Sequence, residues 1–321
     1  MKKLLLSPEI SLSNGGWHLT LSPSAGGRVT SLSSSQDGNV IDWIVPMPEH
    51  CRRHGFQASA WPKAGIYPLL PFSNRIRGGA FSWAGLDLSL PLHPGEAHAM
   101  HGFGHRAQWQ LLDCDGSSAA MLYVHAAGDS GWPWRFQAKQ TISLAAGALA
   151  MQMEITNTSD ATLPPMPLGA GFHPYFPRRF ARQVCFAAQQ LWQADAEHVA
   201  TGVGDVPPQH DYGNPRGSPR SIEQEEELTL YYGGWNRRAK IGDGRQHQIA
   251  ISASPLLSHL VLHAPKAGDY FCIEPVTHVA NAVNLAQSGF SNTGLQILSP
   301  GHTFICELRM DFSGPAIPES S

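Results

Sequence analysis

Asn74 and Arg75 set an amide beside a guanidinium in Pro71-Phe72-Ser73-Asn74-Arg75-Ile76-Arg77, and the Gly78-Gly79 turn follows at once. About two dozen residues on, His98-Ala99-Met100-His101-Gly102-Phe103-Gly104 places two imidazoles beside a glycine-rich turn. Asn, Arg and His together offer fixed hydrogen-bond donors and acceptors. That set suits a ligand carrying many hydroxyls and no charge, such as a sugar, better than it suits an ion that needs a clamp of opposite sign.

Two later segments add an imidazole and a carboxylate: Gly171-Phe172-His173-Pro174-Tyr175-Phe176, and Cys272-Ile273-Glu274-Pro275-Val276-Thr277 continuing to Asn281-Ala282-Val283-Asn284. In this order and spacing the four segments resemble the aldose 1-epimerase (galactose mutarotase) family. The resemblance spans residues 71 to 284 and extends more weakly from Gly26-Gly27-Arg28 to Pro300-Gly301. It implies an isomerase that interconverts the α and β anomers of a free aldohexose without a cofactor. Glu274 would be the base that takes the C1 hydroxyl proton and His173 the acid that protonates the ring oxygen, the two exchanging roles as the ring recloses. A carboxylate at a strand end among Phe271, Cys272 and Ile273 is expected to have a raised pKa, and imidazole titrates near cytoplasmic pH.

His101 would hydrogen-bond the ring oxygen or a neighbouring hydroxyl, and Arg75 would fix another hydroxyl with its planar fork. Asn74 would orient Arg75 or a hydroxyl, and His98 would stand behind these groups. Taken without the family, the same residues read as a paired structural Glu, a core His, turn stabilisers and a surface ion pair. The chain departs from the family's pattern where well-studied members carry a sugar-binding Asp. Here the corresponding region is Leu228 to Trp235, with Thr229 or a neighbour at that place. A second departure, Pro300-Gly301-His302 in place of Pro-Gly-Glu, is read as a turn.

The elements that must hold these groups are strands. Trp17 to Leu21, Ala119 to Val124, Phe136 to Leu144, Leu149 to Asn157 and Gln248 to Ala253 are β-rich or alternate in polarity, so each can bury one face. Asp37-Gly38, Asp115-Gly116, Ala146-Gly147 and Asp243-Gly244 are turn dipeptides, the last between the arms of a hairpin. No long run repeats every 3.6 residues, although a short helix can follow Asn281. The expected class is all-β, and the resemblance implies a large antiparallel sandwich of the supersandwich type. Motifs on both sides of the Pro-rich 207–219 loop argue for a single domain over 1–321, with that loop and the acidic run Glu223 to Glu227 read as solvated or as a lid.

Composition narrows the partners. With 22 Lys plus Arg against 25 Asp plus Glu, net charge −3 and no basic run, the chain has no footprint for nucleic acid. The three leucines after Lys3 are too short for a signal peptide core, and no apolar stretch is long enough for a membrane helix, so a cytoplasmic protein, monomer or homodimer, with a monosaccharide substrate is expected. Five scattered cysteines read as reduced thiols, and 16 histidines form no metal-ligand motif, so no metal is expected. The alternatives are a hexose 6-phosphate mutarotase, with Arg52-Arg53 or Arg77 at the phosphate, and a carbohydrate-binding protein without turnover.

Overall fold

The computed structural model describes residues 3–4, 9–36, 38–213, 219–223 and 227–314. Two antiparallel sheets dominate it. The larger runs Ile10–Asn14, Trp17–Ser22, Arg28–Gln36, Ile66–Leu69, Gly171–Pro177, Tyr270–Val276, His259–Ala264, Leu228–Gly233, Gln190–Ala194 and Ala200–Gly204, with Asn39–Asp42 added beside Arg28–Gln36. The smaller runs Gln110–Cys114, Ser118–His125, Phe136–Ala145, Ala148–Asn157, Thr303–Ser313, Gln248–Ala253, Arg238–Gly242 and Gln183–Phe186. This is the expected mainly antiparallel β-sandwich, and all five predicted strands fall within these sheets.

Alternation decides what each strand faces. Phe136–Ala145 buries every second residue, and Phe136, Ala138, Ile142 and Leu144 join Met151, Met153, Leu308 and Met310 in one apolar cluster. The larger sheet supplies that cluster with Phe172, Phe176, Leu260, Leu262, Phe271 and Ile273. Burying a side chain of this size contributes about 1.5–3 kcal/mol, so the inner faces anchor the register of the strands. The alternate residues of the same central strands, Tyr67, Leu69, Tyr175, Tyr231, Val261 and Cys272, lie in a second buried cluster with Met47 and Trp61 from the connections and Met100 from the short strand His98–Met100. His173 and Glu274 belong to that second face by the same period of two.

The α-helices among the described residues are Glu49–His54 and Ala282–Gln287, the latter directly after Asn281. Turns occupy Asp115-Gly116, Ala146-Gly147, Asp243-Gly244 and Pro300-Gly301. Asp37, residues 214–218 and residues 224–226 lie outside the described residues, so the Asp37-Gly38 turn and most of the Pro-rich loop and acidic run do too. All five cysteines are free. No described helix is long and apolar enough to cross a membrane.

Candidate active site

His173 and Glu274 meet on the second face of the larger sheet. Their strands pair with Gly171 opposite Val276 and Tyr175 opposite Cys272, which sets His173 and Glu274 side by side between those pairs. His173 Nε2 lies 3.3 Å from Glu274 Oε1, and both side chains are almost fully buried. The imidazole is held by stacking. Tyr175 stacks on it at 4.7 Å and Tyr67 packs against it, tilted, at 4.6 Å, the two tyrosines themselves lying 6.0 Å apart, while Nδ1 meets no partner among the described residues.

Burial sets the charge of both groups. It pushes the Glu274 carboxyl up to about 8, against the opposing pull of Arg75 and Lys63. The imidazole is driven well below its ordinary value by burial first, then by His101, His263, Lys63 and Arg28. Near neutral pH the pair therefore holds a single dissociable proton, and in the free protein it resides on Glu274.

Arg75 and His101 come from the small hairpin Arg75–Arg77 with His98–Met100, in which Arg75 faces Met100. Asn74 and His101 both adopt left-handed backbone, φ 54° and 58°, a region that Asn and His enter more readily than most residues. They interlock: the His101 amide donates to Asn74 O at 2.8 Å, and the Asn74 amide donates to His101 Nδ1 at 3.2 Å. A ring that accepts at Nδ1, and whose pKa burial and Arg75 hold well below the usual range, carries its proton on Nε2. His101 is thus a neutral N–H donor in the cavity wall.

Asn74 Oδ1 accepts the Arg75 amide at 3.0 Å and lies 3.2 Å from the Tyr231 hydroxyl. Glu96 takes one edge of the Arg75 guanidinium, at 2.9 Å from Nε and 3.0 Å from Nη2. The Asn281–Asn284 motif works from behind. The Asn281 amide donates to Arg75 O at 2.7 Å, Asn281 Oδ1 accepts the Arg77 amide, and Asn284 Nδ2 bonds Ala80 O. Gly102 lets this assembly close, because a Cβ there would sit 2.0 Å from Leu70 O on a backbone with φ 66°.

Together these groups line a cavity of about 260 Å³ whose other walls include Trp61, Lys63, Tyr175, Thr229, His263 and Tyr270. All five singled-out residues, Asn74, Arg75, His101, His173 and Glu274, reach it. His98 does not. It accepts the Gly78 amide at Nδ1 and holds the hairpin turn. Of the aromatic residues near the motifs, Tyr175 lines the cavity, whereas Phe72, Trp109, Trp132, Trp134, Phe172 and Trp235 belong to the inter-sheet core. Thr229, in the region where the sequence lacks the expected Asp, has its Oγ1 3.0 Å from His263 Nδ1. Arg52, Arg53 and Arg77 are engaged elsewhere, with Glu9, Glu49 and the Asp195–Glu197 loop respectively.

Lys63, Glu96, His198 and His263 were not picked out in the sequence. His263 had a usable signal: it stands two residues from Val261, opposite Cys272, on a strand whose even positions are apolar. Lys63 and His198 sit in connections, and only the fold shows where they go.

Comparison with known proteins bears on the family and the fold. The family model for aldose 1-epimerase matches residues 8–310. The uncharacterised protein YphB of Escherichia coli (strain K12) is 27% identical over 289 residues, 87% of this chain and 94% of its own. The fold is also that of a galactose mutarotase-like protein from Clostridium acetobutylicum, with TM-score 0.81, 19% identity, and 98% and 100% of the two chains covered. A GalM/aldose epimerase homologue from C. elegans superposes with TM-score 0.78 at 18% identity, over 96% of this chain and 99% of that one. With four motifs, one sandwich and a match along nearly its whole length, the chain belongs to the aldose 1-epimerase family.

Proposed function

We propose that this protein interconverts the α and β anomers of a free aldohexose by acid–base opening and reclosure of the ring. The observation that carries the reading is the 3.3 Å contact of His173 with Glu274 in the wall of a sugar-sized cavity. The reacting oxygens of a cyclic aldose, the C1 hydroxyl and the ring oxygen, are bonded to the same carbon. An acid and a base close enough to touch each other can therefore reach both at once.

The pair keeps one proton throughout. With it on His173, the Glu274 carboxylate takes the C1 hydroxyl proton while the imidazolium protonates the ring oxygen, and the C1–O5 bond breaks. The pair is then protonated Glu274 and neutral His173, the state its burial favours in the free protein. After rotation about C1–C2, His173 accepts the O5 hydroxyl proton as O5 attacks the other face of the aldehyde, and Glu274 protonates the carbonyl oxygen. The cycle closes with no net transfer of protons or electrons, so the reaction asks for no redox or group-carrying cofactor. His101 Nε2–H and the guanidinium of Arg75 donate to ring oxygen and hydroxyls, Asn74 positions both, and Trp61, Tyr175 and Tyr270 offer faces for the C–H side of the sugar.

A second reading, a phosphorylated hexose, rests on Lys63. Its ammonium lies 4.7 Å over the Trp61 ring in the cavity wall and has no ion-pair partner among the described residues. Both readings are tested by following the anomeric signals of freshly dissolved α-D-glucose, α-D-galactose and glucose 6-phosphate by polarimetry and NMR. Acceleration by the wild-type protein and its loss in Glu274→Gln are expected. No acceleration of any of the three by wild-type protein would refute the proposal.

A further inference from the structure

The mechanism leaves unused a buried thiol that stands beside its acid–base pair. Cys272 stands two residues before Glu274 on the same face of the same strand, opposite Tyr175, and is fully buried. Its Sγ, a His173 ring nitrogen and a Glu274 oxygen all lie within 4.8 Å of one another. One nitrogen, one sulfur and one oxygen donor from two neighbouring strands make a donor set for a borderline-soft divalent cation, above all Zn²⁺.

The spacing fits that chemistry. Zn–N and Zn–O bonds of about 2.0–2.2 Å at a tetrahedral angle separate the two donors by about 3.3 Å. His173 Nε2 and Glu274 Oε1 are 3.3 Å apart already. The imidazole packs against Tyr67 and Tyr175 with its Nε2 turned toward the carboxyl, so the preferred orientation of one ligand is set by packing. The sulfur, within 4.8 Å of the other two donors, is the atom that has to close in, to about 2.3 Å from the metal. His173 and Glu274 line the cavity, which supplies a route of entry for the ion.

We propose that His173, Cys272 and Glu274 form a three-ligand site for Zn²⁺ that overlaps the acid–base pair, so that metal binding and ring opening exclude each other. On binding, the thiol proton and the proton shared by His173 and Glu274 pass to water, and the metal occupies the lone pairs that would carry the substrate's proton. The site deepens the mutarotase reading, because exclusion of catalysis presupposes that reading, whereas the existence of the site does not.

The test uses Co²⁺ as a spectroscopic substitute on the full chain, stripped with EDTA and dialysed. One equivalent is expected to give tetrahedral ligand-field bands and a near-ultraviolet thiolate-to-cobalt charge-transfer band that Zn²⁺ displaces. Cys272→Ser should abolish the charge-transfer band and weaken Zn²⁺ binding at least about a hundredfold, and Glu274→Gln should keep the band but weaken binding at least about tenfold. Zn²⁺ should suppress mutarotation and EDTA restore it, with Cys272→Ser resisting the metal by the same hundredfold. Absence of the charge-transfer band in the wild-type protein, or its survival in Cys272→Ser, overturns the site. Activity lost with EDTA and recovered with Zn²⁺ overturns the exclusion. If no sugar is turned over at all, the cobalt spectra still decide the site.

Discussion

Glu274→Gln separates what the carboxyl does for chemistry from what it costs the fold. In the folded chain the group keeps its proton to about pH 8, whereas an unfolded carboxyl loses it near 4.5. Between those values the folded state binds more protons than the unfolded one, so the group's contribution is fully present below about 4.5 and is lost as pH rises through 8. At 1.36 kcal/mol per pH unit the loss amounts to about 5 kcal/mol, comparable with the whole stability of a marginal domain. A neutral amide has no proton to lose. Urea unfolding of both proteins at a series of pH values should show near-equal stability at pH 4.5 and a growing advantage for the variant, reaching several kcal/mol at pH 9. Mutarotation by the same preparation should fall at least about a hundredfold. A stability difference that does not change with pH would refute the buried-carboxyl account. Near-normal turnover would refute the catalytic one.

kcat/KM should stay level near neutrality and fall as pH rises past about 8, when the pair loses its single proton; its acid limb should lie well below 6.5, where His173 takes a second one. A basic limb absent up to pH 10 would contradict this. His173→Asn should lower turnover at least about a hundredfold and remove that acid limb in the same pH titration of rate. His101→Asn retains a side chain tolerant of left-handed backbone but loses the aimed Nε2–H, so kcat/KM should drop about tenfold to a hundredfold with an unchanged melting temperature. Arg75→Lys breaks the two-point contact with Glu96, and steady-state kinetics should show KM raised about tenfold with the larger share of the loss in KM rather than kcat.

The sequence was most legible where site and strand coincide. A carboxylate inside Phe271-Cys272-Ile273-Glu274 and an imidazole inside Phe172-His173-Pro174 interrupt runs that are otherwise built for burial, and the period of two then fixes which face they take. The hairpin of Arg75 and His101 was legible as a pair of motifs, but not as a pair of strands. Its three-residue arms carry too short a pattern, and its register is held by Asn281 from more than 200 residues away. Glu96 could be foreseen only as an unnamed partner in the ion-pair reading of Arg75. Lys63 and His198 reach the cavity from connections whose course depends on long-range pairing, so no local pattern marks them. Thr229 was placed by family spacing alone, and its link to His263 is a cross-strand contact, Thr229 facing His263, that only the register reveals.

Two terms of opposite sign set the charge of the His173–Glu274 pair. Two opposite charges 3.3 Å apart attract by about 5 kcal/mol at an effective dielectric of 20. Removing both from water costs several kcal/mol for each ion, so with no sugar bound the proton stays on Glu274 and both groups are neutral. In the free protein the desolvation cost outweighs the attraction. A bound sugar that offers a hydroxyl to the carboxylate and an oxygen to the imidazolium adds one hydrogen bond to each charged form, and charge-assisted bonds contribute about 1.5–3 kcal/mol apiece. That is enough to tip the proton across to His173 without locking it there. On the proposed mechanism both forms have to lie within reach of each other, because ring opening starts from the ionised pair and leaves the neutral one.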